Sequence, residues 1–117
     1  MIVIGERING MFKAVRKGIQ EKDKKIIQDI ARKEVECGAR ILDVNVGPAA
    51  ADEVAAMQWL VETIQEVTDT TLSIDSAKPP VIEAGLKACK KKALINSTTG
   101  EQAKLETLVG LAKKYNA

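Results

Sequence analysis

Four short apolar runs, each ending in an acidic or amide side chain, constrain this chain more than any other feature. They are Val3-Ile4-Gly5-Glu6, Ile41-Leu42-Asp43-Val44-Asn45, Leu72-Ser73-Ile74-Asp75 and Ala93-Leu94-Ile95-Asn96. The segments between them have the apolar spacing of amphipathic helices, so the sequence predicts an α/β fold of order βαβαβαβα with parallel strands. Such folds hold their ligands at the carboxyl ends of the strands. We therefore expect function at Glu6, Asn9, Asp43, Asn45, Asp75 and Asn96.

Helix signals lie between the runs. Asp23 can cap a helix whose apolar positions extend from residue 26 to residue 35, and Gly38 is suited to end it. Residues 7–18, after the first run, are expected to form a loop with a short helix. Trp59 lies off the centre of the apolar stripe of the helix that contains it, which favours a partly buried packing residue.

The last two helices carry capping and turn signals as well. Ser76 can cap a helix that Pro79 opens, because a proline in the first turn loses no hydrogen bond that the helix needs. Residues 96–100, including Ser97, are rich in capping side chains. The final helix is expected to bury one side, formed by Leu105, Leu108, Val109 and Ala112.

Composition indicates one domain, residues 1–117, with a packed core. Hydrophobic residues make up 45% of the chain and charged residues 29%, whereas aromatic residues make up only 3%, so aliphatic side chains must fill the core. The formal net charge is +2 with acids and bases interleaved, which argues against nucleic-acid binding. The run Lys90-Lys91-Lys92 is read as a solvated helix end.

Metal, disulfide and membrane signals are weak. Cys37 and Cys89 have no C-x-x-C spacing and the chain contains no histidine, so we expect neither a disulfide framework nor a bound transition metal. The apolar amino terminus is too short for a signal peptide, and no segment approaches membrane-spanning length. A cytoplasmic protein that does not contact a membrane is expected.

Three architectures share this alternation of strands and helices: a doubly wound open sheet, a five-stranded receiver, and the first half of an eight-stranded (β/α) barrel. A Rossmann domain needs G-x-G-x-x-G after its first strand, and residues 5–10 lack that spacing. A receiver could use Asp75 as its phosphoacceptor but needs a fifth strand that carries a lysine. The sequence ends at Ala117, where that strand is expected.

Four motifs together resemble the pterin-binding family. They are Ile4-Gly5-Glu6-Arg7-Ile8-Asn9-Gly10, Leu42-Asp43-Val44-Asn45-Val46-Gly47-Pro48, Ser73-Ile74-Asp75-Ser76 and Leu94-Ile95-Asn96-Ser97-Thr98. Within that family the chain is most similar to the methyltetrahydrofolate:corrinoid/iron-sulfur protein methyltransferases, and the likeness extends over nearly all of the chain. The resemblance implies the amino-terminal half of a pterin-binding (β/α)8 TIM barrel, as a truncated chain or a fragment.

The resemblance also implies site residues. Asp75 and Asn96 match strand-end residues that hydrogen-bond the pterin ring. Asn9, Asp43 and Asn45 match strand ends that line the same cavity, where direct ligand contact and support of a neighbour are equally open. A carboxylate suits a ring edge with two adjacent N–H donors, and an asparagine offers both a donor and an acceptor. Any one of these residues could also cap a helix.

The implied reaction transfers a methyl group between N5 of methyltetrahydrofolate and the cobalt of a cobalamin cofactor carried by a partner corrinoid (iron-sulfur) protein. In the family, the asparagine nearest N5 and a further pterin-binding aspartate come from later strands, so the catalytic groups are expected beyond residue 117 and the isolated chain is expected to be inactive. A dihydropteroate synthase-like enzyme and a non-catalytic half-barrel or receiver-like binding module stay open as alternatives.

Four strands cut from a barrel would leave two unpaired edges and, we expect, an apolar inner face. Unpaired edges recruit other strands. The chain on its own is therefore expected to form a homodimer, a rearranged open sheet or aggregates, with the homodimer favoured.

Overall fold

The computed structural model describes residues 1–117 as a four-stranded parallel sheet with its helices packed on one face. The strands are β1 (Ile4–Asn9), β2 (Ile41–Asn45), β3 (Thr71–Asp75) and β4 (Leu94–Asn96). The helices are α1 (Lys13–Glu21), α2 (Lys24–Glu36), α3 (Glu53–Gln65), α4 (Pro79–Ala88) and α5 (Gln102–Tyr115), and a 3-10 turn spans Gly47–Ala49. The predicted alternation of strands and helices is confirmed.

Strand order decides between the three architectures. The order in the sheet is β1-β2-β3-β4, and each strand pairs in parallel with the strand that precedes it in the chain. Doubly wound folds, including the receiver, reverse their winding, so that the first strand lies inside the sheet. The doubly wound and receiver alternatives are therefore wrong. Sequential parallel strands with helices on one face form half of an eight-stranded (β/α) barrel.

One face of the sheet forms the core against the helices. Leu42 and Val44 of β2 and Ile74 of β3 are fully buried, and they pack in one cluster with apolar residues of α2, α3 and α4. Side chains alternate between the two faces of a strand, so the intervening residues lie on the opposite, inner face. The helices cover only the outer face because that face carries the apolar side chains of β2 and β3.

The inner face is polar toward the carboxyl ends of the strands, contrary to the expectation of an apolar face. Strand alternation and cross-strand pairing assign it Ile4, Asn9, Ile41, Asp43, Asn45, Thr71, Ser73, Asp75, Leu94 and Asn96. Only the amino ends of the strands contribute apolar side chains, Ile4, Ile41 and Leu94. The expectation was wrong because the polar residues occupy alternate positions within the apolar runs.

The first strand is longer than expected. β1 continues to Asn9, and a bulge between Gly5 and Ile8 shifts its register against β2. The N–H of Arg7, inside the bulge, donates to Oε1 of Glu34 on α2 at 2.9 Å. The prediction of a loop from residue 7 was wrong because the bulge interrupts the two-residue period by which a strand is recognised.

The predicted helix ends are confirmed in part. The Asp23 carboxylate accepts from the N–H of Lys25 at 3.1 Å as the cap of α2, and Gly38, with φ of 103°, follows the end of that helix. Ser76 does not cap α4: its hydroxyl accepts from the N–H of Lys78, and Lys78 is the residue that precedes the helix. Pro79 and Pro80 are the first two residues of the helix, so Lys78 occupies the cap position and Ser76 lies two residues before it.

The ends and faces of α5 differ from expectation. Glu101 precedes α5 without a side-chain cap, so Ser97 does not cap that helix. Leu108 is its buried residue, whereas Leu105 is 38% exposed and Val109 is 44% exposed. Two of the four residues on the predicted apolar side of α5 are thus exposed.

Trp59 of α3 is partly buried against the core, as predicted, and the Lys22 ammonium lies 4.9 Å from its ring centroid.

Helix α4 lies so close to β3 that Gly85 has no room for a side chain. A Cβ at this position would lie 2.6 Å from Cγ2 of Ile74 and 3.1 Å from Cγ of Met57. We expect Gly85→Ala to lower the free energy of unfolding by about 1–2 kcal/mol, because overpacking outweighs the better helix propensity of alanine.

Gly110→Ala in α5 is the matched control, because nothing lies within 4 Å of a Cβ there. It should raise the free energy of unfolding by about 0.5–1 kcal/mol. Both variants are measured by urea denaturation followed by circular dichroism. Equal stabilisation by the two alanines would contradict the close contact between α4 and β3.

We propose that residues 1–117, prepared alone, self-associate into a homodimer. The outer edges of β1 and β4 have no strand partner, and Ile4 and Leu94 beside them are 47% and 44% exposed. Light scattering over a dilution series should give a mass above 12.6 kDa that falls on dilution. A cooperatively unfolding monomer at micromolar concentration would contradict self-association.

Candidate functional site

The carboxyl ends of β2, β3 and β4 bring the predicted site residues together. Asn45, Asp75 and Asn96 are aligned across the three strands. Asp43 lies two residues before Asn45 on the same face of β2. Two hydrogen bonds link the four side chains in pairs, each joining an amide to a carboxylate. This set of four residues is called the strand-end cluster below.

The first pair joins Asn45 and Asp75. Nδ2 of Asn45 donates to Oδ2 of Asp75 at 2.7 Å, and Oδ1 of Asn45 accepts from the N–H of Gly47 at 2.7 Å. Because a backbone N–H can only donate, the atom that faces Gly47 must be the amide oxygen, and the atom that faces Asp75 must be the nitrogen. Asn45 is therefore held in one orientation. The other oxygen of Asp75, Oδ1, receives no donor from the chain.

The second pair crosses a strand. Nδ2 of Asn96 on β4 donates to Oδ1 of Asp43 on β2 at 3.0 Å. Ser73 of β3, which is aligned with Asp43, lies between the two strands in the sheet and is buried. Asp43 is only 6% exposed, whereas Asn96 is partly exposed and its Oδ1 has no donor within the chain. The pair thus turns the carbonyl oxygen of Asn96 away from Asp43.

Burial raises the pKa of Asp75 above its ordinary value, because the charged form loses solvation at the strand ends. The hydrogen bond from Asn45 acts in the opposite direction and lowers that pKa. The negative charge of Asp43, a hydrogen bond to the Asp43 carboxyl group that requires a shared proton, and the charge of Glu6 raise it further. Three carboxylates thus converge on one small region, and the Asn45 amide is the donor that helps to keep Asp75 ionised.

Asn9 lies at the same edge but has a local role. Its Oδ1 accepts from the N–H of Met11 at 2.9 Å, which shapes the loop after β1. Glu6 and Arg7 do not pair with each other: the Arg7 guanidinium lies 4.4 Å from the ring centroid of Phe12. Direct ligand contact by Asn9 remains a prediction.

Sequence reasoning missed the role of Glu34. Its Oε1 accepts from the N–H of Arg7, while its Oε2 is buried without a hydrogen-bond partner. Burial raises the pKa of Glu34, and the hydrogen bond from the backbone of Arg7 opposes that rise. In the sequence, Glu34 resembles any charged residue on the surface of a helix. Its role in holding the N–H of Arg7 is visible only once the bulge in β1 is known.

A cleft of about 370 Å³ adjoins the strand-end cluster. Asn45 and Asp75 line it together with Glu53 and Lys78, whose side chains form an ion pair at 2.9 Å, whereas Asn96 is not among the lining residues. Small-molecule sites in proteins typically have volumes of about 300–1,000 Å³. The cleft is therefore large enough for a ring system that contacts Asp75.

Metal and membrane features add little to this picture. No group of three or more His, Cys, Asp or Glu side chains is arranged to hold a metal ion. No helix is both long enough and apolar enough to cross a membrane. The absence of a bound transition metal remains a prediction from the sequence.

Comparison with known proteins identifies the class to which this half-barrel and its strand-end cluster belong. A family model described as "Pterin binding enzyme" matches residues 6–117. The chain therefore belongs to the pterin-binding enzyme family, and the resemblance drawn from the four motifs is confirmed.

One relative is the methylcorrinoid:tetrahydrofolate methyltransferase of Eubacterium limosum, which is 40% identical over 111 residues. The match covers 95% of this chain and 41% of that protein. The chain thus spans less than half the length of this relative.

The charge on Asp75 should reduce the stability of the fold at neutral pH. A carboxyl group whose pKa is raised by folding binds its proton more tightly in the folded state, so stability falls as the pH rises through the range between the two pKa values. Asp75→Asn keeps an acceptor for Asn45 and removes the repulsion from Asp43. We expect it to raise the free energy of unfolding at pH 7.

The gain should disappear at about pH 3, well below the ordinary aspartate pKa of about 3.9, where the carboxyl group is protonated in both states. Urea denaturation at both pH values measures it, and Glu36→Gln at the end of α2 is the control for losing an exposed carboxylate that has no partner in the chain. If Asp75→Asn were equally destabilising at both pH values, the raised pKa would not be the dominant effect at this position.

Proposed function

We propose that this chain forms the amino-terminal half of the pterin site of a methyltransferase. The enzyme would move a methyl group between N5 of methyltetrahydrofolate and the cobalt of a corrinoid held by a partner protein. The observation that carries the proposal is the strand-end cluster, in which Asp75 and Asn96 each direct a side-chain oxygen that has no donor within the chain to the same edge of the sheet. Family membership and the name of the relative support the same reading.

The chemistry of the two oxygens suits a pterin ring. The 2-aminopyrimidinone edge of a pterin presents adjacent N–H donors, and an ionised carboxylate such as Asp75 accepts from both. Asn96 would accept from or donate to a neighbouring ring position. The charged carboxylate is costly to bury alone, so a ligand that supplies two donors would recover part of that cost.

The catalytic groups for methyl transfer are proposed to lie outside residues 1–117. An amine such as N5 is a poor leaving group, so the transition state needs a proton or a strong hydrogen bond at that nitrogen and a methyl carbon aligned with cobalt. Within this chain, the strand-end cluster would bind and orient the ring. The corrinoid is proposed to arrive on a separate protein, and no metal is proposed to bind this chain.

A cytoplasmic location is also proposed. Cys37 is a free and exposed thiol, and Cys89 is a free, partly buried thiol whose pKa burial raises to about 11. Exposed unpaired thiols persist in reducing compartments, where disulfides are rare. The free thiols therefore support a cytoplasmic location.

The first test is ligand affinity in the protein as its host makes it. Asp75→Ala should weaken the binding of methyltetrahydrofolate by about 1.5–3 kcal/mol, because a hydrogen bond to a charged group is lost, and Asn96→Ala should cost somewhat less. Calorimetric titration measures both, with circular dichroism as the check on folding. Wild-type affinity in both variants would remove these residues from the site.

The second test is turnover. The natural protein should transfer the methyl group, which is followed by the spectrum of the corrinoid, whereas residues 1–117 prepared alone should show no detectable turnover. Full activity of the 117-residue chain would overturn the location of the catalytic groups. Condensation of a pterin pyrophosphate with p-aminobenzoate, in place of methyl transfer, would favour the dihydropteroate synthase-like alternative.

A further inference from the structure

We propose that Asp43 and Asn45 of β2 are positioning residues, which fix the orientation of Asn96 and Asp75 and do not themselves contact the ligand. The proposal rests on the proposed function, because it concerns the same site. It separates two roles that the sequence leaves equally open for these residues.

Asn45 is held at three points. Its amide oxygen accepts from the N–H of Gly47, its amide nitrogen donates to Asp75, and its backbone carbonyl accepts from the N–H of Gly10 at 2.9 Å. Gly47 has φ of 54°, and a Cβ there would lie 3.2 Å from the backbone nitrogen of Met11. The turn that fixes Asn45 therefore has little freedom to relax.

This fixed amide determines how Asp75 is presented. Oδ2 of Asp75 already accepts one bond from Asn45, so Oδ1 has no donor within the chain and Oδ2 keeps one lone pair for a second donor of a ligand. Asp43 and Glu6 carry negative charge toward Asp75, and Asn45 supplies the donor that counters them. A ligand then meets a carboxylate that is already oriented and loses less rotational freedom on binding.

Asp43 acts in the same way on Asn96. Its Oδ1 accepts from Nδ2 of Asn96, and only 6% of its surface is exposed, which leaves little of it for a ligand to contact. A carboxylate can only accept, so it selects the orientation of Asn96 in which the nitrogen faces β2. Without Asp43, the amide of Asn96 could turn over and exchange its donor and acceptor.

Burial separates the two roles most clearly for Asp43. Among the four residues of the strand-end cluster, Asp43 alone is buried, whereas Asn45, Asp75 and Asn96 are all partly exposed at the strand ends. Asn45 also lines the cleft, but the oxygen and the nitrogen of its amide both bond within the chain. The positioning role of Asn45 therefore rests on those bonds.

The test is a pair of double-mutant cycles in the natural protein, with 5-methyltetrahydrofolate as the probe in calorimetric titrations. Asp43→Ala should lower affinity about tenfold in the wild-type background but less than about twofold in the Asn96→Ala background. Asn45→Ala should behave in the same way toward Asp75→Ala. Asp43→Asn, which keeps an acceptor oxygen for Asn96, should restore affinity to within about threefold of wild type.

Two controls separate positioning from general destabilisation. Asp29→Ala removes an exposed carboxylate on α2 that pairs with Lys25, and it should leave affinity unchanged. In the ligand-free protein, the side-chain amide hydrogens of Asn96 should exchange with solvent faster in Asp43→Ala, whereas in Asp43→Asn they should exchange at close to the wild-type rate. A residue with a merely structural role would not follow this pattern.

The outcomes distinguish this proposal from the proposed function. Losses of affinity that multiply in the double mutants would mean that Asp43 and Asn45 touch the ligand, and would overturn the positioning roles while the pterin site stands. Unchanged exchange of the Asn96 amide hydrogens in Asp43→Ala would overturn the role of Asp43 with or without a ligand. If the wild-type protein binds no methyltetrahydrofolate but the exchange of the Asn96 amide hydrogens responds as expected, the positioning of Asn96 is supported and the proposed function fails.

Discussion

The parallel pairing of β2 with β3, without any shift in register, is the constraint on which the site depends. Five consecutive residue pairs are aligned from Ile41↔Thr71 to Asn45↔Asp75. A slip by one residue would move every side chain of one strand to the other face and would separate Asn45 from Asp75. The register is fixed from the outer face, because Leu42, Val44 and Ile74 must enter the core against the helices. Core packing thus determines the geometry of the polar cluster on the opposite face.

The polar cluster lowers the stability of the sheet, because charged side chains lose solvation where a buried parallel sheet usually has apolar residues. Parallel strands buried on both sides are usually continuous apolar runs. Here Asp43, Ser73 and Asp75 interrupt two of those runs, and the pKa of Asp75 is raised by burial and by its acidic neighbours. Proteins that retain such charges in place of apolar residues commonly do so at binding sites. The amide partners Asn45 and Asn96 reduce this cost without neutralising either carboxylate.

The sequence predicted the order of elements and the edge at which the site lies, because both follow from local periodicity and from the rule that parallel strands end together. The ends of the apolar runs gave Asp75 and Asn96 as two of six candidates, and the resemblance to the pterin-binding family selected these two. The partners of these two residues could not be predicted. The bond from Asn96 to Asp43 spans 53 positions in the chain and crosses an intervening strand, so it depends on the register and twist of three strands at once. The limits of β1 and the cap of α4 were misjudged for a local reason, since a bulge and a pair of prolines displace the usual signals by two or three residues.

The bulge in β1 has a consequence for which residues reach the mouth of the half-barrel. Between Gly5 and Ile8 the first strand advances by three residues while β2 advances by two, from Leu42 to Val44. This one extra residue exchanges the faces of everything that follows it, so that Ile8 enters the core and Asn9 joins Asn45 at the mouth. Glu34, by binding the N–H of Arg7 within the bulge, supports that exchange from the helix layer. A residue of the helix layer thereby helps to decide whether the first strand offers an amide or an isoleucine to the site.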